Sequence, residues 1–555
     1  MPRAGRNGGL RQVFGVSARK RLIFLAGYDI IYVIMINIVL FAAAIGVYPV
    51  PKEVSELPGS FGSEDYVLIG SLDETMGPEE YSLTLTNGVA EIRAGGDSGA
   101  FYARQTLNQL APKLKELPNL VIKDSPDIGL RGVVEGYYGR PWGTEGRIST
   151  MEFMGRNKLN LFLYGPKDDP YHHEKWREPY PEDEAKDFQR LLDTARKNKI
   201  RFYWAIHLGG GFRKGGEAER EDTEALIRKL DAMYDLGVRA FAAFFDDFGD
   251  ADAEFHAKIC NLMWRHLESK GGVFPMIMCP NVYWGRGEHA YTKTLGEKLD
   301  PKTMIIWTGR EVCYDILSAD AQKVARSYRR PPFVWWNWPV NDYCRSKVLM
   351  GRTYGLERSE FSGFVTNPME NCEANKVALF GVADWCWNTG AFDSEQNWKD
   401  AFKAIYPDEE VAKAMKVFAT HNSDQAQGNS QGYRREESVG DWTFEEIVEA
   451  MDVLKRKLPM EEPKLWWELE GWINDLDCLA KMGVKIQAMN AAKGELERKH
   501  IRKEVQQLEE IRRENAIKHV EKFRAATFPN DAKQVKPPRT GTLAVEPEVE
   551  KLFRQ

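Results

Sequence analysis

Eight short apolar or aromatic runs follow one another between residues 132 and 369, and this succession limits the fold more than any other feature of the chain. They are GVVEGYYG (132–139), NLFLYG (160–165), RFYWAIH (201–207), AFAAFFDD (240–247), FPMIMCP (274–280), MIIWTG (304–309), FVWWNWP (333–339) and GFVTNPM (363–369). Helix-like segments such as EDEAKDFQRLLDTARKNK (182–199) and TEALIRKLDAMYDLG (223–237) fill most of the gaps. Near-continuous apolar strands alternating with amphipathic helices predict a parallel sheet covered by helices. Eight units in about 250 residues is the size of a (β/α)8 TIM-type barrel. An open doubly wound sheet is the runner-up. It would more often carry a glycine-rich phosphate turn after its first strand, and GYYGRPWG (136–143) is not that motif.

The fold class expected is therefore α/β: a barrel at 129–425, a small N-terminal α/β domain at 46–128, a C-terminal helical bundle at 426–528 and a tail at 529–555. In YSLTLTNGVAEIRAG (81–95) two alternating runs flank Asn-Gly, a strong hairpin signal. In 98–114, Phe101, Leu107, Leu110 and Leu114 have helical spacing. After about residue 400 the strand signal disappears. Thr443 and Glu446 stand at capping-box spacing before a helix to 458. A second helix carries Leu465, Leu469, Trp472, Leu476 and Leu479 on one stripe and is expected to stop at Gly483, with a third from about 484 to 526. KQVKPPRTGTL (533–543) reads as an exit segment. At the other end, Arg3, Arg6, Arg11, Arg19, Lys20 and Arg21 precede IIYVIMINIVLFAAA (30–44). Residues 1–45 have the layout of an export signal, with cleavage after Ala44. From Leu22 to Val47 the stretch is also long enough for a membrane anchor. Either way the protein is expected to be exported, to a periplasm, a cell surface or the medium.

A net charge of −6 with interspersed signs argues against a nucleic-acid partner. The seven cysteines are scattered without a CxxC pair, so they read as buried thiols rather than a zinc ribbon or a disulfide framework. A homodimer stays open.

In a parallel barrel the loops at the carboxyl ends of the strands meet at one mouth. They would bring there Tyr137 and Tyr138, Lys167 with Asp168 and Asp169, His207, Asp246 and Asp247, Cys279, Asn281 and Tyr283, Trp335 to Asn337, Asp342, Asn367 and Glu370. Carboxylates and amides suit a polyol, and aromatic planes suit the apolar faces of sugars. Phosphate chemistry would want more cations, and a transition metal would want clustered His or Cys. Asp246, Asp247 and Asp250 leave a hard cation as a minor alternative. Neighbouring carboxyls in apolar surroundings resist ionising together, so one is expected to be raised and to act as a general acid. Ordinary glycosidases place two carboxylates across the scissile bond, ~5–5.5 or ~6.5–9.5 Å apart. An adjacent pair better fits the substrate-assisted exception, in which the acetamido oxygen of an N-acetylhexosamine is the nucleophile.

RGVVEGYYGRPWG (131–143), YGPKDDPYH (164–172), FFDD (244–247), CPNVY (279–283), WWNWPVNDY (335–343) and SGFVTNPME (362–370) resemble the active-site segments of family 84 glycoside hydrolases, the O-GlcNAcase-type β-N-acetylglucosaminidases. HNSD (421–424) and GYRREES (432–438) resemble the bacterial members. The similarity runs in order from about residue 48 to about residue 528. It implies a retaining exo-hydrolase that passes through an oxazoline, needs no metal or cofactor, and acts on GlcNAc-bearing glycoproteins or glycans; the alternatives are a non-catalytic carbohydrate-binding protein on the same scaffold or a hyaluronan-directed glycosidase. Carried over residue by residue, Asp246 would polarise the acetamido nitrogen and Asp247 would be the acid/base. Tyr283 would support the amide oxygen, and Cys279 and Trp335 would wall the methyl pocket. Gly136 (through its backbone), Lys167, Asn337, Asp342 and Asn367 would hold the sugar hydroxyls, with Tyr138 beside them. The fifth loop departs from the family in reading CPNVYW (279–284) where Thr-Glu precedes the tyrosine, so the rim is expected to meet other aglycones.

Plainer roles suit several neighbours. Asp168 and Asp169 precede Pro170 and read as a turn. His207 reads as a packed rim residue and Cys279 as a wall rather than a nucleophile. Trp335 and Trp336 must face opposite ways, one to the pocket and one to the core. GYRREES (432–438) divides between a domain-junction ion cluster and a part of the substrate groove.

Overall fold

A computed structural model describes residues 46–167, 169–208, 211–247, 249–423, 439–527 and 532–554. The leader at 1–45 and the GYRREES motif lie outside the described residues, as does Asp424 of HNSD. Among the described residues no helix is long and apolar enough to cross a membrane.

The N-terminal domain is a five-stranded sheet of β1 (Glu53–Ser60), β2 (Val67–Leu72), β3 (Tyr81–Thr86), β4 (Val89–Ala94) and β5 (Pro118–Asp124), in the order β1-β5-β3-β4-β2. Only the β2–β4 pair is parallel. Asn87 and Gly88 both have positive φ, 48° and 77°, as a two-residue hairpin turn between β3 and β4 requires. Helix α1 (Asp97–Leu110) buries Tyr102, Leu107 and Leu110 against Tyr81, Leu83, Leu85 and Ile92. Arg131, fully buried at the start of the barrel, joins the two domains. Its guanidinium ion-pairs with Glu79 at 2.8 Å and stacks over Trp387.

The barrel consists of β6 (Arg131–Glu135), β7 (Leu161–Tyr164), β8 (Arg201–His207), β9 (Ala240–Phe244), β10 (Ile277–Cys279), β11 (Met304–Trp307), β12 (Phe333–Trp336) and β13 (Gly363–Thr366). All neighbouring pairs are parallel and β13 closes onto β6, so the eight runs are the eight strands. Val134, Leu163, Ala205, Ala242, Ile277, Ile306 and Val365 fill the interior, while alternate residues pack outward against the helices. Those helices are α2 (Gly143–Arg156), α3 (Glu182–Lys197), α4 (Gly216–Leu236), α5 (Ala253–Lys270), α6 (Ala290–Lys298), α7 (Ser318–Tyr328) and α8 (Lys376–Trp387). Helix α4 ends at Gly237 with φ 113°, and α5 begins where the Asp252 carboxylate accepts from Phe255 N–H at 3.0 Å. All seven cysteines are free and buried.

Helices α9 (Ser394–Ile405) and α10 (Glu409–Thr420) lead into a bundle of α11 (Phe444–Glu461), α12 (Pro463–Ala491) and α13 (Glu495–Ala525). Thr443 and Glu446 form the expected capping box on α11. Gly483 does not stop α12, which continues to Ala491. A Cβ at that position would run into the Phe444 ring, so this glycine serves close packing of two helices. The exit segment also behaves differently from its sequence expectation. Residues 532–544 return to the barrel, where Arg539 N–H donates to Ser346 O at 2.8 Å, and the Thr540 hydroxyl ties the segment to Asp475 of α12 at 2.7 Å. A last helix, α14 (Val545–Arg554), then packs on α12.

Candidate active site

The carboxyl ends of the strands open into a cavity of about 420 Å³. Its lining includes all eleven residues expected from the sequence: Gly136, Tyr138, Lys167, Asp246, Asp247, Cys279, Tyr283, Trp335, Asn337, Asp342 and Asn367. Such a volume suits one sugar-sized ligand.

The two aspartates reach the same cavity because the backbone turns between them. Strand alternation sends Phe244 into the barrel, Phe245 outward and Asp246 inward again. Continued alternation would turn Asp247 away. Instead Asp247 has φ 62°, a left-handed conformation costing on the order of 1 kcal/mol for a residue with a Cβ, and its carboxylate comes round beside that of its neighbour. Asp246 is buried, whereas the Asp247 side chain is about one-third exposed (32%).

Lys167 stands between the two carboxylates. Its ammonium ion-pairs with Asp246 Oδ2 and lies 3.7 Å from Asp247 Oδ2. Burial pushes the Asp246 carboxyl up, but Lys167, followed by His207, outweighs burial and holds it well below the usual carboxylate range. Crowding therefore does not raise this member of the pair; the cation takes up the repulsion. Burial depresses Lys167 in turn, and the aspartates and Tyr138 more than reverse that, so it stays an ammonium. Asp247 accepts from two phenols, Tyr138 at 2.8 Å and Tyr283 at 3.0 Å. Burial and the neighbouring carboxylates raise both phenols far above their usual range, so both are donors at any working pH.

The opposite wall is a chain of amides and one acid. Asn337 Oδ1 accepts from Trp335 Nε1 at 2.8 Å and from Asn367 Nδ2 at 2.9 Å. Asn337 Nδ2 donates to Val312 O at 2.6 Å, which fixes its flip. Asn367 Oδ1 is buried without a hydrogen-bond partner among the described residues. Asp342 accepts from Tyr138 N–H at 3.0 Å, and burial raises its carboxyl. Trp335 lines the cavity while Trp336 is fully buried in the core, as alternation demands. Cys279 is a neutral thiol, pushed well up by burial and then by Asp246, and forms wall.

Asp169 is a structural tie, accepting from the Tyr164 and Tyr180 hydroxyls at 2.9 and 2.7 Å, while Asp168 lies outside the described residues. Asp250 is exposed and paired with Lys214 at 2.9 Å, and Asp246 with Lys167, so the two share no site. Sequence reasoning missed Thr308, Val312 and Cys313 beyond β11, Val340, Tyr343 and Arg345 beyond β12, and Gln534. The position of MIIWTG (304–309) among the strands would have pointed to the first group. Nothing local marks Gln534, which belongs to the segment that follows α13.

A family model described as β-N-acetylglucosaminidase matches residues 131–420, more than half of the chain. The chain belongs to this family of glycoside hydrolases. Residues 50–125 match a second model, domain 2 of glycosyl hydrolase family 20. The protein O-GlcNAcases of Rattus norvegicus and Mus musculus are each 34% identical over 277 residues, covering 46% of this chain. The match spans only 30% of the length of those relatives. Among solved structures, CpGH84B superposes with a TM-score of 0.75 at 27% identity, over 92% of this chain and 100% of that one. CpGH84D gives 0.74 at 25%, over 92% and 98%. An O-GlcNAc hydrolase variant of Thermobaculum terrenum shares the fold, with a TM-score of 0.61 at 24% identity over 77% and 95%. The O-GlcNAcase-type family 84 resemblance and the barrel expected from the sequence both hold.

Proposed function

We propose that this glycoside hydrolase removes terminal β-linked N-acetylglucosamine from glycoproteins or glycans, with retention and through an oxazoline. The adjacent pair Asp246–Asp247, turned into one sugar-sized cavity with Lys167 paired to Asp246, carries this reading. Asp246 accepts a hydrogen bond from the acetamido N–H and makes the amide oxygen more nucleophilic. That oxygen forms a bond to the anomeric carbon while the bond to the aglycone oxygen breaks, and the protonated carboxyl of Asp247 delivers its proton to the departing oxygen. In the second half the Asp247 carboxylate takes a proton from water, the water oxygen bonds to the anomeric carbon, and the oxazoline ring opens to free N-acetylglucosamine. Two inversions at one carbon leave the configuration unchanged.

Tyr283 hands its hydrogen bond from Asp247 to the amide oxygen as the sugar enters, and Cys279 and Trp335 enclose the methyl group. Asp342, Asn337 and Asn367, whose Oδ1 has no donor among the described residues, take the hydroxyls, with Gly136, Tyr138 and Lys167 completing the enclosure. The basic leader and apolar run at the N-terminus support export, which would present the enzyme with extracellular glycans.

Asp247→Asn tests the assignment on aryl N-acetylglucosaminides of graded leaving-group acidity. The loss should be severe for poor leaving groups and small for activated ones, with an oxazoline mimic still bound. Equal loss across the series rejects Asp247 as the acid. Comparable hydrolysis of plain β-glucosides, which lack the acetamido group, rejects the mechanism.

A further inference from the structure

His207, which the mechanism above leaves unused, closes β8 behind the aspartate pair. Its side chain is buried, and its register partner on β9 is Phe244, two residues before Asp246. The imidazole Nε2–H donates to the backbone carbonyl of Asp246 at 2.9 Å, and the same nitrogen lies 3.5 Å from Asp246 Oδ1. A carbonyl only accepts, so the ring carries its proton on Nε2. The ring is itself immobilised. His207 N–H donates to His172 O at 2.9 Å, and the rings of His173 and His172 meet it edge-on, with centroids 4.6 and 6.2 Å away.

This hydrogen bond falls on the most consequential peptide of the site. The carbonyl of Phe244 accepts from Leu208 N–H at 2.9 Å and that of Phe245 from Asn281 Nδ2 at 3.2 Å. The next carbonyl, that of Asp246, belongs to the peptide joining the two acids, and its donor is the His207 ring. Immediately afterwards the chain enters the left-handed turn at Asp247. Rotation of that peptide would swing both carboxylates, one through its own Cα and the other through the φ that follows.

We propose that His207 is a positioning residue for the reaction: by gripping the carbonyl between Asp246 and Asp247, with its second reach toward Asp246 Oδ1, it fixes the angle at which the two carboxyls face the substrate. The inference rests on the function proposed above. It predicts that His207 acts only through the acids, without touching the sugar.

The test is a double-mutant cycle in the full chain, with an activated aryl N-acetylglucosaminide as substrate. His207→Asn, which withdraws the donor, should lower kcat about 3- to 10-fold with little change in KM, the size expected for a lost hydrogen bond to a backbone carbonyl. His207→Gln, which keeps a donor at similar reach, should recover most of the loss. In an Asp246→Asn background, where one of the two positioned carboxyls is gone, the His207→Asn change should cost clearly less than it does in the wild type. Additive losses, a change confined to KM, or a glutamine variant no better than asparagine would overturn the inference. If His207→Asn does not fold, His207→Phe, which keeps a ring without a donor, takes its place beside the glutamine variant: a kcat well below that of the glutamine variant supports the role, and equal kcat in the two removes it. A wild-type protein without N-acetylglucosaminidase activity removes the functional reading and this inference together, whereas an active wild type with an indifferent His207 removes only the latter.

Discussion

Gly136 and Trp335 are packed so closely that a Cβ on the glycine would penetrate the indole ring. The absence of a side chain just beyond β6 is what allows Trp335 to line the cavity and to donate to Asn337. Gly136→Ala should therefore displace the indole, raise KM for an N-acetylglucosaminide at least tenfold, and cost about 1–3 kcal/mol in urea unfolding. Unchanged kinetics would show that Trp335 does not shape the binding pocket.

Lys167→Met leaves the buried Asp246 carboxylate unpaired. Breaking a buried pair from one side costs about 3–5 kcal/mol, so the variant should be markedly destabilised as well as inactive. Adding Asp246→Asn should restore much of the stability and none of the activity. Measured unfolding free energies that add across the two substitutions would contradict the ion pair's place at the centre of the site.

Tyr283→Phe removes one of the two phenolic donors on Asp247. In the proposed reaction that phenol passes to the acetamido oxygen, and a hydrogen bond to a group developing charge is worth about 1.5–3 kcal/mol, which corresponds to a roughly 10- to 100-fold fall in kcat/KM. Loss below twofold would place Tyr283 on the rim rather than in the reaction.

Glu468 on α12 accepts from the backbone N–H groups of Glu373 and Ala374 at 2.9 and 3.2 Å, and burial raises its carboxyl to about 7. An unfolded glutamate ionises at about 4.3, so between those values the native state binds the extra proton. Stability consequently falls as pH rises through this window and levels off above it. Glu468→Gln should flatten that slope, removing at most about 3 kcal/mol of the difference between pH 5 and pH 8 in urea unfolding. Asp384, also raised by burial to about 7, supplies a similar slope that the glutamine variant retains. A variant with the wild-type slope would exclude Glu468 as a source.

Local sequence determined whatever short-range chemistry encodes. The eight apolar runs became strands because each is short, rich in branched or aromatic residues and bounded by helical segments. Asn87–Gly88 became a hairpin turn and Thr443–Glu446 a capping box because turn and cap geometry are properties of a few consecutive residues. The motif FFDD (244–247) announced an acid pair at a strand end. What remained hidden depends on residues that meet only when the barrel closes. Lys167 and Asp246 are 79 positions apart, so their pairing, and with it the ionised state of Asp246, follows from strand order rather than from any motif. Gly483 looks like a helix stop until Phe444 is seen lying against it, and Gln534 has no reason to be near a sugar until the chain returns from the bundle. The turn at Asp247 belongs to the same class: alternation alone sends that side chain away from the cavity, and only the surrounding tertiary contacts hold the backbone in a conformation it would otherwise avoid.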